Sequence, residues 1–96
     1  MQFIVIFTNK PRFFTEGMPD DFAERMRDDT AHLRKLYADG IVRDVWTLDT
    51  AERGGVALFE ADSLSQLETV VADIPFVNID YNDYEILPLA PYPGFS

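Results

Sequence analysis

The chain has 96 residues, with 8 Lys and Arg against 17 Asp and Glu, a formal charge of −9, 47% hydrophobic residues and no cysteine. At this length one compact domain is the ceiling, the apolar fraction excludes disorder, and the lack of thiols excludes disulfides, zinc–thiolate sites, iron–sulfur ligation and a thiol nucleophile. The acidic balance repels phosphate backbones and anionic membranes, the single histidine is His32, and the longest apolar run, Phe3 to Phe7, is too short for a bilayer span or a signal peptide. The expectation is a cytoplasmic protein with no nucleic-acid or membrane partner, no metal and no cofactor.

Gln2 to Thr8 is β-branched and aromatic at successive positions and is bounded by Asn9-Lys10-Pro11, which predicts a strand with both faces buried. Asn9 to Pro19 has two prolines, one glycine and no period, so it reads as a loop. Its Phe13 and Phe14 are costly to leave wet and suggest a lid or a subunit contact. A helix is expected over Asp20 to Asp39, with acids in its first turn and Gly40 at the position just past its end. At 100° per residue, Phe22, Met26, Leu33, Leu36 and Tyr37 form one stripe. Asp29 falls inside that stripe, which is the main local anomaly.

Ile41 to Thr50 and Gly55 to Glu60 read as two strands joined by a polar turn at Ala51-Glu52-Arg53-Gly54. Ser63-Leu64-Ser65-Gln66 has the form of a capping box, and Leu64, Leu67, Val70, Val71 and Ile74 give the stripe of a second helix that Pro75 ends. A final strand is expected from Ile79 to Leu87, followed by an extended tail through Pro88, Pro91 and Pro93. The order is β-α-β-β-α-β, a ferredoxin-like α+β domain with both helices on one face of a four-stranded antiparallel sheet. The uncovered face of that sheet, apolar in its first strand, calls for a second copy as a homodimeric α+β barrel.

Arg27-Asp28-Asp29 through Gly40-Ile41-Val42-Arg43-Asp44-Val45-Trp46, followed by Ile74-Pro75-Phe76, resembles the muconolactone Δ-isomerase family, which has an acid eleven residues before a glycine, an R-x-x-W strand and a Leu-Pro-Leu-like turn. The resemblance spans nearly the whole chain. It implies a dimeric α+β barrel, often in larger rings of dimers, a pocket between helices and sheet, and a cofactor-free 1,3 proton shift in an unsaturated lactone, in the catabolism of aromatic compounds. Two positions depart from the pattern: Asp29 is one methylene shorter than the family's Glu, and Ala90-Pro91 stands where the family carries His-Pro. His32 to Gly40 with Asp73-Ile74-Pro75-Phe76 is also similar to YciI-like proteins, whose histidine would fall where Asp29 stands.

A carboxyl group on a buried stripe must be paired, hydrogen-bonded or held neutral. Asp29 is therefore either an isomerase base with a raised pKa or a carboxylate slightly off the stripe, bonded to Arg25 one turn back or to a strand residue. Asp44 alternates with Val42, Trp46 and Leu48, so it is expected on the helix-facing side, where it is either the acid partner of Asp29 or part of a salt bridge to Arg43, Arg53 or a helix arginine. These two acids are the candidate catalytic residues. His32, Trp46, Tyr37 and Arg43 are the candidate substrate contacts, and each has a plainer reading: a surface histidine beside an i−4 acid, a core tryptophan, a helix-face tyrosine, and an arginine that reaches the pocket only if its strand is bulged. The rival functions are a cofactor-independent monooxygenase or YciI-like enzyme on the same scaffold and a non-catalytic binding or assembly module.

Overall fold

The computed structural model of the protein describes residues 1–50 and 54–95. Strand β1 (Gln2–Asn9) leads through a one-turn helix α1 (Arg12–Thr15) into the long helix α2 (Phe22–Ala38), then β2 (Val42–Thr47), β3 (Gly55–Glu60), α3 (Leu64–Ala72), a one-turn α4 (Pro75–Asn78) and β4 (Asn82–Pro88). The sheet is antiparallel with order β2-β3-β1-β4, so β1 lies in its interior beside β3 and β4. This is the expected ferredoxin-like β-α-β-β-α-β arrangement with two added turns of helix.

Period-2 alternation sets the faces. Phe3, Val5 and Phe7 of β1 and Ala57 and Phe59 of β3 are buried, and with Val42, Leu36, Leu67, Val71 and Ile74 they form the core under the helices. The intervening Ile4, Ile6, Val56 and Leu58 are only half-buried on the other face. The helix ends follow local chemistry. Gly40, at φ +77°, closes α2 with a Schellman pair, the Ile41 N–H donating to Leu36 O at 2.9 Å and the Gly40 N–H to Tyr37 O at 3.1 Å. Ser63 caps α3 by accepting from the Gln66 N–H at 3.1 Å, and the Gln66 side chain accepts from the Asp62 N–H.

Several expectations need correction. The tail expected to be extended through Pro93 closes in a turn of 3-10 helix over Pro93–Phe95. The Asn9–Pro19 stretch contains α1, whose Phe13 is buried edge-on against Phe22 and Tyr81, so an aromatic cluster rather than solvent decides its conformation. Helix α3 closes at Asp73, and Pro75 begins a new turn, where its missing N–H costs nothing. That turn displaces the start of the last strand from Ile79 to Asn82, with Asp80 at φ +65° between them. Strand β2 stops at Thr47 instead of Thr50, and its register shifts between Val42 and Asp44.

That shift has a large consequence. Val42 opposes Phe59, but Asp44 opposes Leu58, Val45 opposes Ala57 and Trp46 opposes Val56. Directly opposed residues share a face. The bulge at Arg43 therefore sends Asp44 and Trp46 to the face away from the helices and puts Val45 and Thr47 toward them, the reverse of the expected placement. The turn residues Ala51, Glu52 and Arg53 lie outside the described residues.

Candidate functional site

Between α2, α4 and one end of the sheet lies a pocket of about 520 Å³. Phe7, Phe22, Met26, Leu33, Ile74 and Phe76 make its walls apolar, and Asp29, Thr30, Thr47, Asn9 and Asn82 bring polar groups to it. The volume suits a small ring compound. Gly55 lies on the helix-facing side of β3, where an added Cβ would meet only Trp46 O, at 3.2 Å.

Asp29 reaches this pocket because α2 carries it one turn beyond Met26 and one turn before Leu33, all three on the lining. Its Oδ1 accepts the backbone N–H of Phe76 at 3.0 Å. That N–H belongs to the first turn of α4, where no helical carbonyl is available to it. Burial raises the carboxyl's pKa above the ordinary aspartate value, the Phe76 N–H opposes the rise, and the charge of His32 opposes it further. The pairing with Arg25 does not form. The Arg25 Nε–H donates instead to Asp21 Oδ2 at 3.1 Å, and Asp21 Oδ1 also accepts the Tyr81 hydroxyl at 2.6 Å. These two bonds hold the Asp21 carboxyl below its ordinary pKa.

The other candidates are dispersed. Asp44 accepts from the Val45 N–H at 2.9 Å and is absent from the pocket lining, so the bulge separates it from Asp29. Trp46 touches the pocket from β2 but is 48% exposed, and its register turns it with Val56 toward the bare face. Tyr37 is 63% exposed at the far end of α2, outside the lining. Arg43 is exposed at the bulge and also outside it. His32 is half-buried beside Asp29 and acts on it through charge.

Sequence reasoning missed Asn82 and Asn9, which oppose each other across β4 and β1 on the helix-facing side. Asn82 Oδ1 is buried with no hydrogen-bond partner among the described residues. The expected strand from Ile79 to Leu87 contained Asn82, but only the register shows that it continues the face of Phe7 and Ile86. No group of three or more His, Cys, Asp or Glu side chains among the described residues is placed to hold a metal ion, and no helix there is long and apolar enough to cross a membrane.

A family model described as muconolactone delta-isomerase matches residues 1–94. A crystal structure of muconolactone isomerase superposes with a TM-score of 0.76 at 21% identity, covering 97% of this chain and 92% of that one. A 5-chloro-2-hydroxyhydroquinone dehydrochlorinase from Burkholderia phenoliruptrix AC1100, solved with 2,5-dihydroxybenzoquinone, superposes with a TM-score of 0.69 at 15% identity, covering 98% of each chain. At these identities both likenesses concern the fold. No curated protein matches the chain by sequence.

Proposed function

The chain belongs to the muconolactone delta-isomerase family, and on that premise we propose that it shifts a proton on a small, unsaturated, oxygenated ring compound, with the Asp29 carboxyl as the group that removes and returns it. The observation that carries this reading is the position of Asp29: on the wall of an apolar pocket, one oxygen anchored by the Phe76 N–H, with its proton affinity raised by burial. A carboxylate that binds a proton more tightly than a surface aspartate is the stronger base.

The chemistry balances without a cofactor. The ionised Asp29 takes a proton from a carbon beside a carbonyl or conjugated to it, and the C–H electron pair passes into the conjugated system as an enolate. The neutral acid then returns the proton two carbons away, the double bond has moved, and the carboxylate is restored. Among the lining residues, Thr30 and Thr47 carry hydroxyls of the kind that stabilise a developing enolate oxygen. A ring compound seated against the apolar walls displaces water from them, which strengthens both effects.

The named activities of the two structural relatives are compatible with the same chemistry. Lactone isomerisation and loss of chloride from a hydroxylated ring both require a positioned group that moves a proton, so one acid in one pocket serves either. The half-buried apolar face of Ile4, Ile6, Val56 and Leu58 supports a second copy of the chain as its cover, with aromatic-compound catabolism in the cytoplasm as the setting. The deciding experiment is an isomerisation assay on muconolactone followed by ultraviolet absorbance, with Asp29→Asn beside the unaltered chain. Turnover that survives Asp29→Asn removes Asp29 from the mechanism.

A further inference from the structure

The helix-facing side of the sheet is apolar along β1, β3 and β4 until its last rung, where Asn82 opposes Asn9. Asn82 sits at the pocket wall in the company of Phe7, Phe22 and Phe76. Its Oδ1 is withdrawn from solvent and no group among the described residues donates to it. Buried polar atoms are nearly always partnered, because leaving an acceptor dry and unpaired is unfavourable. The β-sheet tolerates asparagine poorly, and an apolar residue would fill this position without that penalty. A local rule broken at the wall of a cavity, with no compensation among the described residues, marks a place where a bound molecule supplies the partner.

We propose that Asn82 is a substrate-binding residue whose amide oxygen accepts a hydrogen bond from a donor on the bound compound, so that of two rings of similar shape the pocket favours the one that carries a hydroxyl. This rests on the reading of the pocket as the site of a small oxygenated compound, and it adds a direction to that compound. Asn82 fixes a hydroxyl at the sheet end of the pocket, and Asp29, whose Oδ1 is occupied by Phe76, faces the ring from α2. Selectivity follows from the asymmetry of burial. A ligand lacking the hydroxyl covers the Asn82 oxygen and leaves it unpaired, which weakens its binding, whereas a ligand carrying the hydroxyl satisfies it.

The test uses two probes of similar shape: catechol, whose oxygens are both donors, and 1,3-benzodioxole, which keeps both oxygens on the ring and has no donor. Binding is read from backbone amide shifts of the full chain, with the Asp29 and Phe76 amides reporting occupancy of the pocket. The unaltered chain is expected to bind catechol about tenfold more tightly than benzodioxole. Asn82→Leu is expected to bring the ratio below about threefold while benzodioxole still binds, because the acceptor is gone and the pocket is not. Asn82→Asp keeps an oxygen at the same position and retains the preference for catechol. No preference in the unaltered chain, or an undiminished one in Asn82→Leu, overturns the assignment of Asn82 and leaves the pocket standing. Failure of both probes to shift the Asp29 and Phe76 amides overturns the pocket itself, and the assignment with it.

Discussion

The backbone N–H of Phe76 donates to Asp29 Oδ1 at 3.0 Å across 47 positions of sequence, so the first turn of α4 holds the carboxyl group on which the proposed chemistry depends. The bond leaves the second oxygen of Asp29 for the role of base proposed above. Asp29→Asn keeps an oxygen that can accept from Phe76 and removes the ionisable group. It is expected to lower kcat by about 10²-fold or more with the circular dichroism spectrum unchanged. Steady-state isomerisation kinetics on purified protein check this.

The direction of the Asp29 pKa shift gives two pH dependences of opposite sign. As a base, Asp29 must be ionised, so kcat/KM is expected to fall as pH drops through a midpoint above the ordinary aspartate value of 3.8. For stability, a carboxyl whose folded pKa is raised favours folding most when it is protonated, below its unfolded pKa, and that contribution is lost as pH rises through the folded pKa. At neutral pH the Asp29→Asn variant should therefore be at least as resistant to urea as the unaltered chain, and the difference should shrink below the ordinary aspartate range. Urea titrations at several pH values read it. A variant less stable at neutral pH than at low pH, relative to the unaltered chain, contradicts the shift.

Phe76 also holds α4 through its ring, packed 5.3 Å from Phe22 and 5.6 Å from Tyr81, centroid to centroid. Phe76→Leu keeps the N–H and loses both ring contacts. A cost of about 1–2 kcal/mol in unfolding free energy is expected, with a looser grip on Asp29 seen as a change in its titration by carboxyl carbon resonances. An unchanged stability would show that the rings merely fill space.

Gly54 meets the main chain of β1 at the pocket end of the sheet. A Cβ there would stand 1.7 Å from Phe7 O, which is backbone and cannot swing aside. Gly54→Ala is expected to cost about 2 kcal/mol or more by forcing β3 away from β1. It should also disturb the hairpin bond from the Leu48 N–H to Gly54 O at 2.9 Å. A thermal melt measures the first effect, and amide exchange at Leu48 the second.

Leu58 stands at the middle of β3 on the face away from the helices, opposite Ile4 in β1 and Asp44 in β2. With a second copy on that face, Leu58→Glu buries a charge between two sheets and should convert the protein to monomers that retain their fold. Light scattering coupled to gel filtration distinguishes the two states. A monomeric unaltered chain would show that the face is not an interface.

The order of strands and helices was legible in the amino-acid sequence because each signal was local. A β-branched and aromatic run bounded by Asn9-Lys10-Pro11 marked β1, the polar turn before Gly55 marked the start of β3, Gly40 marked the end of α2, and the Ser63–Gln66 box marked the start of α3. The anomaly of Asp29 was legible too, since a helix fixes which residues share a face. Which partner that acid takes was not, because Phe76 comes to it from another element and Arg25, the nearer candidate, is engaged by Asp21. The face of Asp44 and Trp46 was also closed to sequence reading: a single extra residue at Arg43 reverses every side chain after it, and a bulge is chosen by the neighbouring strand's register. The same holds for Asn82, an unremarkable polar residue until β1 pairs with β4 and carries its amide into the pocket. Local periodicity thus determined the architecture, and long-range pairing decided which side chains share the cavity, because a strand's inward face is set by its partner.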